Sequence, residues 1–412
     1  MAEVRVRMYN VGFGDCFLLE FPREGRAPFR VLVDCGAHSS GFPRRCWRIR
    51  ETVETIVRDV GAPAAIDVVV ATHRHQDHVS GFDEPAWADV TVGEVWLPWT
   101  EDPDDPEAVR IRTRQSSLAL NLTTAFADLG FDRRWQSEDV KASLRELVAN
   151  SLTNAAAMRT LHQGFKGKPE RRFLSTPETA TIRPAACPAL TVHVLAPSRD
   201  EATIRDMDPP AGQSYLRFGA GAGGPGSEPG SAVSQKDQPF ARGFVLDTDL
   251  PDLDDDVRAT ADEMMRDTDL ATAVSLDKAV NGTSLMFLFE FGSAYLLFPG
   301  DAQWGSWRAV MDRPATRELV SRTTFYKVGH HGSHNATPVE FLEDVLRPGK
   351  PLWAAAASVR PISFWPEIPR QPLMDQLVAR SGRVLRSDRP GRNRSGVGVR
   401  RGGVGVDFHV PC

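Results

Sequence analysis

From Val4 to Met8 (VRVRM) apolar and polar positions alternate, the period of a half-buried strand, and Gly12 and Gly14 break the pattern before an apolar run from Cys16 to Phe21. Phe29 to Cys35 (FRVLVDC) reads as a further strand ending at Gly36. Ile49, Val53, Ile56, Val57 and Val60 then recur at helical spacing, and Gly61 and Pro63 follow as stop signals. Ala65 to Ala71 (AIDVVVA) is a short valine-rich run, the pattern of a strand buried on both faces. Strands that alternate with a helix imply an α/β protein built on a layered sheet.

The pattern turns helical between Thr100 and about Ala180, for example from Ser137, placed as an N-cap, to Gln163. Residues 100–180 are therefore expected to be a helical insertion, by position a lid over a cleft. Leu190 to Ala196 (LTVHVLA) is strand-like again, and His193 within it reads as a satisfied core or edge histidine. The stretch 217–243 is rich in Gly, Pro and Ser and is expected to be a flexible loop; Asp247 to Asp256 is an acidic run of solvated character. Apolar strands resume at Ser284 to Phe289 and Ala294 to Phe298, separated by Gly292. No internal repeat interrupts the order, so 1–412 is read as one domain.

A net charge of -5, with 41% hydrophobic and 25% charged residues, is ordinary for a soluble globular chain. Any nucleic-acid contact must then be local. The candidate is the run Arg383, Arg386, Arg389, Arg392, Arg394, Arg400 and Arg401, which reads first as a solvated edge hairpin and second as a phosphate-tracking surface. Five cysteines, odd in number and widely spaced, argue against a disulfide framework and for a reducing, cytoplasmic setting. No membrane association is expected, because no apolar run approaches the roughly 18 residues of a span.

Chemistry concentrates in THRHQDHVSG, directly after the valine-rich strand. Three of the chain's ten histidines and an aspartate lie between His73 and His78. A divalent cation needs ligands converging at about 2.0 to 2.2 Å, and such a loop can offer His73 and His75 to one ion while Asp77 and His78 turn toward a second. Downstream, LLFPGDAQ sets Asp301 just past a strand, and FYKVGHHGSHNATP sets His330 and His331 past another. Either segment alone is weak; Gly300-Asp301 could be a plain turn.

In MYNVGFGDCFLLEF, LVDCG, ATHRHQDHVSGF, NGTSLMFLFEFGSAYLLFPGDA and KVGHHGSHNATP the chain resembles the metallo-β-lactamase-fold hydrolases, and within them the soluble domain of bacterial DNA-uptake channel proteins of the ComEC type. Residues 100–180 and 200–275 match poorly. The resemblance implies an αββα sandwich holding two divalent metals, zinc or manganese. His73 and His75 would bind the first, Asp77 and His78 the second, and Asp301 would bridge them. Either His330 or His331 would complete the second site; His331, just before a glycine, is favoured, which leaves His330 for the substrate. One departure matters: many relatives, lactamases and glyoxalases among them, carry Gly-His-Thr where this chain has Asn281-Gly282-Thr283-Ser284, so the first metal would be weakly held or more open.

Asp34, Asp15 and Asn281 would orient ligands from behind. Asp77, His331, His330 and His334 are the catalytic candidates, and Ser333, His334 and Lys327 the candidate substrate contacts. Trp304 and Trp307 read as helix packing, with base stacking as the alternative. The implied activity is a phosphodiesterase or nuclease that attacks DNA with a metal-bridging hydroxide. Alternatives are a small-ester hydrolase, of phosphorylcholine-esterase or lactonase kind, and a catalytically weak sensor within a larger assembly. A protein partner or a second copy of the chain stays open.

Overall fold

The structure is a computed structural model that describes residues 2–38, 49–127, 154–215, 278–335, 337–346, 352–362 and 367–412. The loop expected at 217–243, the acidic run at 247–256 and the helical pattern over 137–153 lie outside the described residues.

The alternating N-terminal segments form β1 (Glu3–Tyr9), β2 (Cys16–Arg23) and β3 (Arg26–Cys35), followed by α1 (Ile49–Val60), β4 (Ala65–Val70), the short α2 (Gln76–Val79) and β5 (Thr91–Pro98). Next come α3 (Pro106–Ala127), α4 (Ala155–Arg159), β6 (Glu170–Leu174), β7 (Thr181–Ile182), β8 (Leu190–Ala196) and α5 (Glu201–Arg205). The C-terminal part contributes β9 (Met286–Phe291), β10 (Ala294–Phe298), α6 (Trp304–Asp312), α7 (Pro314–Ser321), β11 (Phe325–Lys327), β12 (Ala354–Ala357), α8 (Gln371–Arg380), β13 (Val384–Arg386), β14 (Val397–Val399) and β15 (Gly405–Pro411).

These strands build two mixed sheets, ordered β14-β15-β1-β2-β3-β4-β5-β6 and β13-β12-β11-β10-β9-β8-β7. The protein is thus a mixed α/β fold. Strand alternation decides what lies between the sheets: Val6, Phe17, Val33 and Val68 of the first meet Phe287, Phe289, Leu296 and Phe325 of the second in one apolar layer. The opposite faces are covered by helices. Leu18, Leu32 and Val69 pack with Val53 and Ile56 of α1, while Leu288, Leu297 and Tyr326 pack with Trp307 and Val310 of α6 and Leu373 of α8. Each fully buried Phe in the central layer contributes roughly 1.5–3 kcal/mol, so two cores per sheet hold the strand ends rigid.

The run β3-β4-β5-β6 is parallel, as is β10-β11-β12-β13. Both runs end their strands at one edge, where parallel sheets place ligand-binding loops.

Two expectations change. Residues 100–180 are not helical throughout, since β6 pairs with β5 in the first sheet; its half-buried Arg171 and Arg172 gave no apolar alternation to read. The C-terminal arginines form an edge hairpin only in part: Arg400 and Arg401 lie between β14 and β15, which pair antiparallel at the edge of the first sheet, whereas Arg383 and Arg386 lie at β13, which borders the second. Several are internally paired, with Arg386 bound to Asp388, Arg400 to Asp59, and Arg383 over the Trp353 ring. Among the described residues no helix is long and apolar enough to cross a membrane.

Asp59 ties α1 to the first sheet. It accepts from Arg400 Nη1 and Nη2 at 2.6 and 2.7 Å and from Tyr9 Oη at 2.8 Å, with Arg7 Nη1 at 2.9 Å. Burial pushes its carboxyl up, but Arg400 and Arg7 outweigh burial and hold it below the usual range. The folded value is depressed, so its stabilisation is full above the unfolded value near about 3.9 and is lost as pH falls through the folded value. Asp59→Asn is expected to cost about 1–3 kcal/mol at pH 7 and to flatten the acid limb of a urea-denaturation pH series.

Candidate metal centre

All the candidate groups leave one edge. Asp34 ends β3, residues 72–78 follow β4, Asp301 follows β10, and His330 and His331 follow β11. Asp15 joins them from the loop before β2, donating its N–H to Asp77 O at 2.8 Å and accepting from Gly36 N at 3.0 Å. That approach demands glycine. A Cβ on Gly14, whose φ is +147°, would stand 2.4 Å from Gly36 O, and one on Gly36 would stand 2.4 Å from the Asp77 carbonyl carbon.

Asp15, His78, Asp301 and His331, all buried, offer donor atoms within 4.8 Å of one another, a cluster that could hold a metal ion. The finer geometry separates two sides. His78 Nε2 lies 3.2 Å from Asp301 Oδ2 and 4.0 Å from Asp77 Oδ2, and His331 Nε2 lies 3.1 Å from Asp77 Oδ2. Next to them His73 Nε2 is 3.1 Å from His75 Nδ1, and the His73 and His78 ring centroids are 4.1 Å apart. Asp15 instead faces the far nitrogens, 3.7 Å from His78 Nδ1 and 3.8 Å from His331 Nδ1.

Those far nitrogens are engaged. His78 Nδ1 meets Asp34 Oδ2 at 2.8 Å, and His331 Nδ1 donates to Ser358 O at 2.8 Å, which leaves each Nε2 for the shared space. Asp34, in the left-handed region at φ 56°, is itself fixed by Thr72, whose N and Oγ1 donate at 2.7 and 2.8 Å. His330 and His331 are also left-handed, at φ 41° and 53°. Non-glycine residues there cost roughly 1–3 kcal/mol each, strain that clusters where geometry serves a site. Asp34→Asn is expected to weaken metal retention about 10- to 100-fold, read by competition with a chelating dye.

Lys327 is 2% exposed, ion-paired with Asp15, and 3.8 Å from Asp301 Oδ1. It sits behind the cluster, away from solvent. Its ammonium neutralises Asp15, so Asp15 is a weaker cation ligand than the carboxylates on the Nε2 side.

The local field follows from these pairs. Burial pushes His78 down, but Asp301, Asp34 and Asp77 raise it well above its ordinary value. Burial likewise lowers and Asp15 and Asp77 raise His331, with a net rise. Burial raises Asp77 and Asp301, yet His78 leads the groups that bring both below the usual carboxylate range. His73 falls well below its usual value through burial, with His78 and His75 beside it.

Of the paired histidines, His331 enters the cluster. His330 lies at the rim with 22% of its side chain exposed; its N–H donates to Asp301 Oδ1 at 3.1 Å, and its Nδ1 lies 3.2 Å from Asn335 Oδ1. Ser333 is buried and donates to Asn335 Oδ1 at 2.6 Å. His334 belongs to another neighbourhood: its carbonyl accepts from Ser214, and burial followed by Arg370 pushes its imidazole down to about 4, neutral at pH 7. Asn281 is buried, and its carbonyl accepts from Ser284 N, whose own Oγ accepts from Asp301 N at 3.3 Å. Trp304 and Trp307 are buried, Trp307 against Phe341, so neither ring is open to stack on a base.

Compared with family models and with curated proteins, the chain matches none.

Thr72, Ser284, Ser358, Asn335 and Gln303, whose Oε1 accepts from Asn335 Nδ2 at 2.9 Å, escaped the sequence reading. Thr72 alone had a signal, immediate precedence to the histidine motif. Ser358 follows four alanines, and only the β11-β12 pairing sets its carbonyl against His331.

Proposed function

We propose that the chain is a dinuclear, divalent-metal-dependent hydrolase with the αββα sandwich of the metallo-β-lactamase fold, acting on phosphodiester bonds with DNA as its favoured substrate. The observation that carries this reading is the set of donor separations. Ligands about 2.1 Å from one cation in a tetrahedron stand about 3.4 Å from each other. The 3.1, 3.2 and 4.0 Å distances among His331 Nε2, Asp77 Oδ2, His78 Nε2 and Asp301 Oδ2 fit such edges. The 3.1 Å between His73 and His75 fits an edge of a neighbouring site. Asp77 Oδ1, buried with no hydrogen-bond partner, is a further donor atom to spare. Imidazole and carboxylate together suit zinc or manganese.

Such a pair of cations, held by these residues, would supply a nucleophile at neutral pH and would offset charge on the phosphoryl oxygens. The chain's own groups do the rest. Asp34 and Ser358 fix the two imidazoles, Lys327 and Asp15 brace them, and His330, partly exposed at the rim with its Nε2 3.9 Å from Asp301 Oδ2, is placed to protonate a leaving oxygen.

DNA is favoured because Arg360 and Arg389 lie on loops that follow β12 and β13 at the same edge. Val359 N donates to Ser387 Oγ, Ser358 touches His331, and Arg389 is 77% exposed. The second reading, a small phosphoester, draws on burial: His73, His75, Asp77, His78, Asp301 and His331 are all 4% exposed or less, which favours a compact substrate.

The test is purified protein with Mn²⁺ or Zn²⁺, offered labelled DNA and bis-p-nitrophenyl phosphate. Cleavage of both, lost in His78→Ala and with DNA binding that weakens steeply as salt rises, supports the first reading. Turnover of the small diester alone supports the second. Hydrolysis of neither under both metals removes the proposal.

A further inference from the structure

We infer that a cavity between α3 and α5 is a binding site for a small ligand with an apolar body and one anionic group. The cavity, about 260 Å³ and open to solvent on one side, is lined by Ile111 and Leu118 of α3, Ile204 of α5, and Thr283. This volume falls just under the roughly 300–1,000 Å³ typical of drug-sized sites, which restricts the occupant to a single small ring system or a short branched chain. Burying apolar surface against these walls supplies the gain, about 25 cal/mol per Å².

Charge sets the ligand's sign. Three arginines border the cavity, and two are spent: Arg110 donates to Glu107 and Glu201, and Arg205 donates to Glu201 at 2.5 Å. Arg114 has no carboxylate partner among the described residues, so one guanidinium is left beside an apolar chamber. A planar anion, carboxylate, sulfonate or phosphate monoester, would take both arms of that fork.

The back wall is preformed. A Cβ on Gly282 would come within 2.5 Å of Ile204 O and one on Gly305 within 2.1 Å of Thr203 O, so α5 is wedged between two glycine-bearing segments. Gly305 N also donates to Asp206 O at 2.6 Å. A wall fixed in this way orders little on binding. The cavity adjoins the metal cluster's support, because Thr283 precedes Ser284, whose Oγ holds Asp301 N. The inference does not depend on the hydrolase reading, since neither the metal ligands nor His330 lines the cavity.

The test is isothermal titration of the full chain with 2-naphthalenesulfonate and with 2-naphthol as its uncharged counterpart. One saturable site per chain is expected for the sulfonate, with about tenfold weaker binding for 2-naphthol and for Arg114→Glu. Leu118→Arg, which fills the chamber, should abolish binding. Both positions lie on the outer part of α3, and unchanged circular dichroism checks that the helix persists. Absence of a saturable site, or equal affinity in the wild type and both variants, overturns the inference.

Discussion

Asp301→Asn is expected to lower metal-dependent phosphodiester hydrolysis by about a thousandfold or more, equivalent to about 4 kcal/mol of barrier, and to reduce the metal retained per chain. Asp301 is the group on which the arrangement depends most. Its Oδ2 faces His78 Nε2, its Oδ1 accepts from His330 N, and its own N–H is held by Ser284 Oγ. The amide preserves shape and loses charge, so a folded variant separates ligand chemistry from packing. Plasma mass spectrometry of the dialysed variant beside its initial rate on bis-p-nitrophenyl phosphate makes the comparison. Wild-type metal content and rate in Asp301→Asn would mean that the carboxylate ligates nothing.

Lys327→Met should give the largest loss of stability of any single change at this edge, about 3–5 kcal/mol in chelator-treated protein. Burial pushes the Lys327 ammonium down, but Asp15 and then Asp301 outweigh it and keep it charged. Removing it strands the Asp15 carboxylate, 1% exposed, without its partner. Because the cost comes from an uncompensated charge, Asp15→Asn in the same chain should recover part of it. Urea denaturation of the four members of this cycle measures the coupling. An additive cycle would show that the two groups do not interact.

How much of this was readable depends on where each interaction lies along the chain. Strands whose partners share one face, such as VRVRM and FRVLVDC, announce themselves by period. The ERRFL strand does not, because its register comes from β5 and its arginines hide the apolar positions. The same division runs through the site. His73, His75, Asp77 and His78 are adjacent in sequence and could be named together, and Asp301 and His331 could be named from strand ends. The Asp34-Thr72-His78 chain, the Ser358 carbonyl on His331 and the Lys327–Asp15 pair could not be derived from spacing, since each joins strands distant in sequence. Nor could the left-handed backbone at His330 and His331, since glycine flanks the turn at 329 and 332 but occupies neither of these two positions. Lys327 and Ser333 looked like substrate contacts because they flank the histidines; packing turns both inward.

The most direct test is anomalous diffraction at the zinc or manganese edge from crystals grown with that metal. Two peaks are predicted, one within about 2.0–2.2 Å of His78 Nε2, His331 Nε2 and Asp77, the other at His73 Nε2 and His75 Nδ1, with Asp301 between them. An anomalous map with no peak at these nitrogens, from protein saturated with either metal, would contradict the account.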